Sequence, residues 1–288
     1  MSQAERAIRL SASGLSDRGR SRQNNEDRVL VWQREALVLA IVADGMGGAM
    51  AGEEASRLAV EGVAQSLNAA SSAQAYAAMS EEELMDRLMD GVRRANSDIL
   101  RYARLHPELK GMGTTITLAF ANGHHVCLAH VGDSRAYLVD GHDGSIIQLT
   151  QDHSFVHALM LAGHITLEEA EQHPMKHVLY RALGQSEDVD VDLLSGIYLN
   201  VGDRLVLCSD GLTLHVSPDE ILEHALAHNE PETITRGLVN LANARGGKDN
   251  ISVVVVVAES ATPLPRMGED YAADFSHEGD DPTSPLRS

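Results

Sequence analysis

The spacing of apolar positions divides this chain into helical and extended stretches. Between residues 81 and 105, Leu84, Leu88, Val92, Ala95, Ile99 and Tyr102 recur at three- and four-residue steps. That spacing lines one helix face. Ser80 is placed to cap the helix, and Glu83 completes a capping box. Residues 51–72 read as a second helix. From Thr115 the period shortens to two, with Ile116, Leu118 and Phe120 on one face. Ala121-Asn-Gly-His124 turns the chain, and Val126, Leu128 and His130 alternate on the return. Residues 136–139 and 145–149 predict another hairpin. Further strands are expected at 28–32, 37–43, 189–198, 204–208 and 251–257. Helices are expected near 153–162, 166–172, 217–228 and 231–244.

Consecutive hairpins without a regular strand–helix–strand alternation predict antiparallel sheets covered by helices, an α+β layered domain. No internal repeat is visible. From Thr262 to Ser288 the composition shifts: four of the eight prolines, six acidic residues and two arginines fall there. This stretch reads as a disordered acidic tail.

Composition narrows the function. Residues of the AVILMFWYC class make up 43%, enough for a core, but aromatics are only 3%, so that core is aliphatic. Cys127 and Cys208 are too few for a disulfide scaffold or a thiolate zinc site. Both lie on apolar strands and read as buried small hydrophobes. The N-terminus has no signal-peptide core, and the longest apolar run, residues 251–258, is far too short to span a bilayer. A cytoplasmic protein with no membrane partner is expected. The net charge is -19. Such acidity opposes nucleic-acid binding, which depends on Lys and Arg displacing counterions.

Where the carboxylates sit is more informative than their number. Asp44 ends an apolar strand and opens Asp44-Gly-Met-Gly-Gly48. Asp133 follows Leu128-Ala-His-Val-Gly132. Asp210 follows Leu205-Val-Leu-Cys-Ser209. Asp249 sits just before the strand that starts at Ile251, and Glu26 and Asp27 precede the strand at Arg28. Each alone reads as a turn, since Asp-Gly is common there. Together they suggest an all-oxygen site for Mg²⁺ or Mn²⁺, if the loops converge. The glycines after Asp44 do not make a phosphate-cradling P-loop. Asp17-Arg-Gly-Arg-Ser-Arg22 supplies three arginines, which read either as a solvated basic turn or as an anion-binding group.

At this point the motifs, taken in order, resemble those of a known family. They are Ser16-Asp-Arg-Gly-Arg-Ser-Arg-Gln-Asn-Asn-Glu-Asp27, Val42-Ala-Asp-Gly-Met-Gly-Gly48 with Gly52-Glu-Glu-Ala-Ser56, and Gly111-Met-Gly-Thr-Thr115. His130-Val-Gly-Asp-Ser-Arg-Ala-Tyr137, Leu149-Thr-Gln-Asp-His153 and His177-Val-Leu-Tyr-Arg-Ala-Leu-Gly184 follow. Leu207-Cys-Ser-Asp-Gly-Leu212 and Gly247-Lys-Asp-Asn250 complete the series. The chain resembles the bacterial metal-dependent protein serine/threonine phosphatases of the protein phosphatase 2C type.

The resemblance implies a central sandwich of two antiparallel β-sheets with helix pairs on both outer faces, over residues 7–258. It implies two central Mn²⁺ or Mg²⁺ ions bridged by Asp44, with the Gly45 carbonyl on one and Asp210 and Asp249 on the other. Asp133, with Asp210, would hold a third, weaker ion. Glu26 and Asp27 would orient water on these ions, and Arg22 would bind the substrate phosphate. Residues 153–177 would form a flap. The implied reaction is hydrolysis of phosphoserine and phosphothreonine by metal-activated water, with no covalent intermediate. The implied partners are phosphorylated proteins and a cognate Ser/Thr kinase, and a monomer is expected. Two other functions stay open: an inactive phosphoprotein-binding pseudophosphatase and a small-molecule phosphoester hydrolase.

Three features depart from the family pattern or are unexplained by it. Met46 stands where some members carry His. Thr213-Leu214-His215 replaces a segment in which relatives often have a polar or acidic residue two positions beyond Leu212. Three histidine pairs are four apart: His153/His157, His173/His177 and His224/His228. They read as surface residues in the absence of a third ligand.

Overall fold

The computed structural model describes residues 8–68, 75, 76 and 78–261. The expected tail at 262–288 and the end of the first predicted helix lie outside the described residues. The elements run β1 (Ile8–Asp17), β2 (Arg28–Arg34), β3 (Leu37–Ala43), β4 (Gly45–Met46), α1 (Ala49–Asn68) and α2 (Glu81–Leu105). Next come β5 (Gly113–Thr114), β6 (Ile116–Asn122), β7 (His125–Val131), β8 (Arg135–Asp140), β9 (Ser145–Gln148), α3 (Phe155–Leu161) and α4 (Leu167–Gln172). The chain finishes with β10 (Asp192–Tyr198), β11 (Arg204–Cys208), α5 (Asp210–Thr213), α6 (Pro218–Ala227), α7 (Pro231–Ala244) and β12 (Ile251–Ser260).

Two five-stranded antiparallel sheets stack face to face. One has the order β1-β12-β11-β8-β9 and the other β10-β7-β6-β3-β2. Three apolar layers hold them. Val38, Ala40 and Val42 of β3 meet Val254, Val256 and Leu205 between the sheets. The alternate residues Leu39 and Ile41 pack outward on Leu88, Val92 and Ile99 of α2 and Val63 of α1. On the other side Val253, Val255 and Val257 pack on Ile221 of α6 and Leu238 of α7. Both faces of β3 and β12 are therefore buried, which explains their unbroken apolar runs. The helix pairs cover both faces, as expected.

The capping box at Ser80 is present: Glu83 N–H donates to Ser80 Oγ at 3.2 Å, and Ser80 N–H to Glu83 Oε2 at 2.9 Å. Three strands are absent from the sequence reading: the two-residue β4 and β5, and the long β1. β1 pairs with β12 along ten residues, from Ile8 opposite Ser260 to Asp17 opposite Ile251. Past Leu10 its apolar face continues only with the small residues Ala12 and Gly14, while Ser11 and Ser13 take the polar positions, so the signal is weak. Gly14 is needed there: a Cβ would lie 3.1 Å from Val31 Cγ2 and 3.2 Å from Val254 Cγ2. The strand at 189–198 begins later than expected, at Asp192.

Candidate functional site

Antiparallel register decides which loops meet. The start of β2 pairs with the end of β3, with Arg28 opposite Ala43. The end of β7 pairs with the start of β6, with Val131 opposite Ile116. Ser209 N–H donates to Ser252 O at 3.0 Å, joining the end of β11 to the start of β12. Asp27, Asp44, Asp133, Asp210 and Asp249 therefore emerge at one end of the sandwich.

They surround a cleft of about 490 Å³. Arg22, Glu26, Asp44, Gly45, Asp133, Asp210 and Asp249 all line it. Asp27 lies beneath, 1% exposed. Every residue singled out as a candidate from the sequence is thus at or directly under this cleft.

The backbone around Asp44 is fixed on both sides. Its N–H donates to Thr115 Oγ1 at 3.0 Å, and its carbonyl accepts from Thr115 N–H at 2.9 Å and Thr114 Oγ1 at 2.8 Å. Gly45 permits a close crossing that a side chain would block. A Cβ there would stand 2.1 Å from Gly52 O and 2.5 Å from Glu26 O. Asn250 ties the arginine loop to β12: its Oδ1 accepts from Glu26 N–H, and its Nδ2 donates to Arg18 O and Asn24 O, each at 2.9 Å. Asp27 Oδ2 accepts from Ser209 Oγ at 2.8 Å. Thr115, Asn250 and Ser209 were not assigned roles in the sequence. The adjacency of Asn250 to Asp249, and of Ser209 to Asp210, was the available signal.

The electrostatics are those of crowded acids. Burial, then repulsion from Asp27, Asp210, Asp133 and Asp249, holds Asp44 well above the usual carboxylate range. Asp133 is also held well above it, by burial and then by Asp210. Burial and Asp249 raise Asp210. Burial pushes Asp27 up to about 7, against the hydrogen bonds from Ser252 and Ser209. Asp27 Oδ1 is buried with no hydrogen-bond partner. Arg22 Nη2 pairs with Asp249 Oδ2 at 2.7 Å. The predicted phosphate ligand thus occupies a predicted metal ligand.

Mutual repulsion among all-oxygen donors, and an orphaned buried carboxylate oxygen, fit divalent cations. Among the described residues no three His, Cys, Asp or Glu side chains close on one point as a ready-made cage. A hard cation that keeps several of its waters needs few direct protein ligands, and Mg²⁺ is of that kind. The donor set therefore fits Mg²⁺ or Mn²⁺.

The segment expected to act as a flap borders the cleft, which Lys176, His177 and Leu179 line. The base of this segment is closed by Phe155 N–H to Val178 O at 2.8 Å and Tyr180 N–H to His153 O at 2.9 Å. One histidine expectation fails here. His153 is not at the surface but 2% exposed. Gly132 N–H donates to its Nδ1 at 3.0 Å, and its Nε2 contacts Asp192 Oδ2 at 3.0 Å. Arg181 Nη1 also reaches Nε2, at 3.1 Å, so the buried ring has three partners and both its nitrogens are engaged.

The sequence profile of Protein phosphatase 2C matches residues 16–251. The chain belongs to the protein phosphatase 2C family. It is 38% identical over 248 residues to the serine/threonine phosphatase stp of Listeria monocytogenes, covering 86% of this chain and 95% of that protein. It is 39% identical to the serine/threonine protein phosphatase PstP of Mycobacterium tuberculosis, over 85% of this chain but 44% of that protein. The crystal structure of PstP/Ppp from M. tuberculosis superposes with a TM-score of 0.75 at 39% identity, covering 87% of this chain and 99% of that one. A PstP catalytic domain in complex with 2 manganese ions superposes at 0.72 and 37% identity, covering 88% and 99%. Protein phosphatase 2C enzymes use Mn²⁺ or Mg²⁺, and this chain has their α-β-β-α sandwich. Among the described residues no helix is long and apolar enough to cross a membrane.

Proposed function

We propose that this chain removes phosphate from phosphoserine and phosphothreonine in proteins, with Mn²⁺ or Mg²⁺ as cofactor. The observation that carries this reading is one cleft holding Asp44, Asp133, Asp210 and Asp249 beside Arg22, in a protein phosphatase 2C chain. Asp44 and the Gly45 carbonyl, with Asp210 and Asp249, would hold the central pair of ions, and Asp133 with Asp210 would hold a third. When bound, the ions lower the pKa of water to give hydroxide at neutral pH and neutralise charge on the phosphoryl oxygens.

The protein's own groups do the rest. Arg22 turns its guanidinium fork from Asp249 to two phosphate oxygens and aligns the ester for in-line attack. Glu26 and Asp27 accept hydrogen bonds from water and fix its orientation. The Thr115 hydroxyl accepts from Asp44 N–H and lies 2.8 Å from Ser134 Oγ, which keeps it out of the chemistry. Burial pushes the Cys127 thiol up to about 11 and the Cys208 thiol up to about 12. Neither is a nucleophile at neutral pH, in line with direct attack by water and no phospho-enzyme.

The retained carboxylates favour turnover over a phosphoprotein-binding role without catalysis. The catalytic unit on this reading spans residues 7–258, with its flap at about 153–177. It acts as a cytoplasmic monomer on proteins phosphorylated by a cognate Ser/Thr kinase. The test is hydrolysis of a phosphothreonine peptide with Mn²⁺, Mg²⁺ or chelator, alongside Asp44→Ala and Asp249→Ala. Turnover is expected with either metal, and is lost with chelator and in both variants. Metal-independent turnover, or full activity in the variants, overturns the mechanism. Faster turnover of nucleotides or sugar phosphates than of the peptide overturns the substrate class.

A further inference from the structure

Asp249 ends a loop whose own bonds stop at Gly247: Gly246 N–H donates to Asn243 O and Gly247 N–H to Ala242 O, each at 3.1 Å, where α7 ends. Gly246 and Gly247 precede Asp249 with φ of 121° and 48°, and neither has a side chain to pack. Two glycines in sequence leave the backbone free to reorient. The loop is held from outside, on two sides. On one side Gly247 O accepts from Arg20 N–H at 2.7 Å and Ser21 N–H at 3.2 Å. On the other, Lys248 N–H donates to a side chain, Nε2 of His215, at 3.1 Å.

His215 belongs to the segment that departs from the family pattern. It follows α5, the four-residue helix that starts at Asp210. Its N–H donates to Leu212 O at 3.0 Å. Its carbonyl accepts from Arg245 Nη1 at 2.7 Å, and the same nitrogen reaches Glu220 Oε2 at 2.7 Å. Glu220 in turn accepts from Ser217 N–H at 3.0 Å in the capping box of α6. The imidazole is therefore mounted on a braced support, with Nε2 aimed at the Gly247–Lys248 peptide, whose carbonyl is held from the other side by Arg20 and Ser21. Because Nε2 accepts, the ring proton of the neutral form sits on Nδ1. Burial, then the charges of Lys248 and Arg245, lowers its pKa and favours this neutral acceptor.

We propose that His215 is a positioning residue for the metal-binding loop: it fixes the Lys248 amide and so sets the Asp249 carboxylate against Asp210 across the cleft. This rests on the reading of Asp249 as a metal ligand. A residue that orients a ligand without touching the ion tunes affinity, and its loss typically costs 10–100-fold. A mutation that only loosens packing lowers thermal stability without selective loss of metal.

The test is calorimetric titration of Mn²⁺ into the full chain for wild type, His215→Ala, His215→Gln and Asp249→Asn, with Tm in chelator and peptide kinetics at saturating Mn²⁺. Gln keeps a carbonyl acceptor that can reach the Lys248 amide. His215→Ala is expected to weaken Mn²⁺ binding about 10-fold. His215→Gln is expected to recover most of that loss, with the metal-free Tm of both close to wild type and kcat largely restored by excess Mn²⁺. Unchanged Mn²⁺ affinity in His215→Ala, with Asp249→Asn weakened, overturns the role of His215 and leaves Asp249 a ligand. Unchanged affinity in Asp249→Asn overturns the reading of Asp249 itself. If His215→Ala does not fold, His215→Gln decides: near-native affinity supports the proposal, and affinity as weak as Asp249→Asn overturns it.

Discussion

On the proposed reading, Asp44 is a residue harmful to the empty fold that becomes the centre of the loaded one. Its carboxylate is crowded by Asp27, Asp210, Asp133 and Asp249. Removing its charge relieves repulsion but removes a ligand. Asp44→Asn is therefore expected to raise the metal-free Tm while abolishing the Mn²⁺-induced rise in Tm. Peptide hydrolysis should fall by at least about 100-fold. Scanning calorimetry with and without Mn²⁺ checks both signs.

His130 gives a separate pH signature. It is fully buried, its Nε2 is 3.0 Å from Gln151 O and its Nδ1 is 2.9 Å from Thr117 Oγ1. A carbonyl only accepts, so the neutral ring donates from Nε2. Burial lowers its pKa to about 4. The unfolded chain binds this proton at about pH 6.5 and the folded chain at about 4, so stability is full above 6.5 and is lost as pH falls through that window, by about 3 kcal/mol. His130→Gln should flatten this part of the pH–stability curve. An unchanged slope in chemical denaturation would show that His130 is not the group.

At this scale the carboxylates could be read from the sequence because each follows or precedes an apolar run beside glycine. Their supports could not. Ser209 and Asp27 are 182 residues apart, and only the register of two sheets makes them neighbours. His153 was misread for the same reason: its partner Asp192 comes from a strand 39 residues on.

At the scale of elements, local pattern was a good guide wherever one face was buried against a layer. The stripe on α2 packs on the core with Ile116, Leu118 and Phe120 of β6, whereas Val126 and Leu128 of β7 face the other sheet. β1 escaped because an edge strand with Gly14 between two sheets carries small residues where a period of two would need large ones. The two-residue ladder of β4 and β5 carries no periodic signal at all, yet it seats Gly45 opposite Thr114. The crossing at Gly45 leads to a prediction. Gly45→Ala forces apart β4 and the start of α1, because the new methyl would meet two backbone carbonyls. Neither can swing away as a side chain could. A cost of about 1–3 kcal/mol is expected from overpacking, with a larger loss of Mn²⁺ affinity than of stability. Denaturant melts and metal titration on one preparation separate the two effects.

Across the whole molecule, the charge of -19 and the cleft act at different ranges. Surface carboxylates are screened within about 8–10 Å at ordinary ionic strength. Those in the cleft are shielded from solvent and repel one another directly. The bulk acidity speaks against nucleic acid as a partner, but on the proposed reading of the cleft it gives the wrong sign for phosphate. The site attracts an anion only once its carboxylates hold cations, and that reversal depends on convergence, which no composition reports.

If Arg22 takes the phosphate and Asp249 the metal, as proposed, their ion pair makes the two ligands of this enzyme interdependent. An anion that claims Arg22 releases Asp249, and a cation that claims Asp249 releases Arg22. Each ligand thereby removes a competitor of the other, and thermodynamic linkage makes the benefit equal in both directions. Inorganic phosphate should tighten Mn²⁺ binding by about 5–10-fold, and Mn²⁺ should tighten phosphate binding by the same factor. In Arg22→Ala the factor should fall toward the value set by direct metal–phosphate contact alone. Titrating each ligand in the presence of the other measures it. It follows that the enzyme holds its metal most firmly while phosphate is bound, and most loosely in the interval after product leaves.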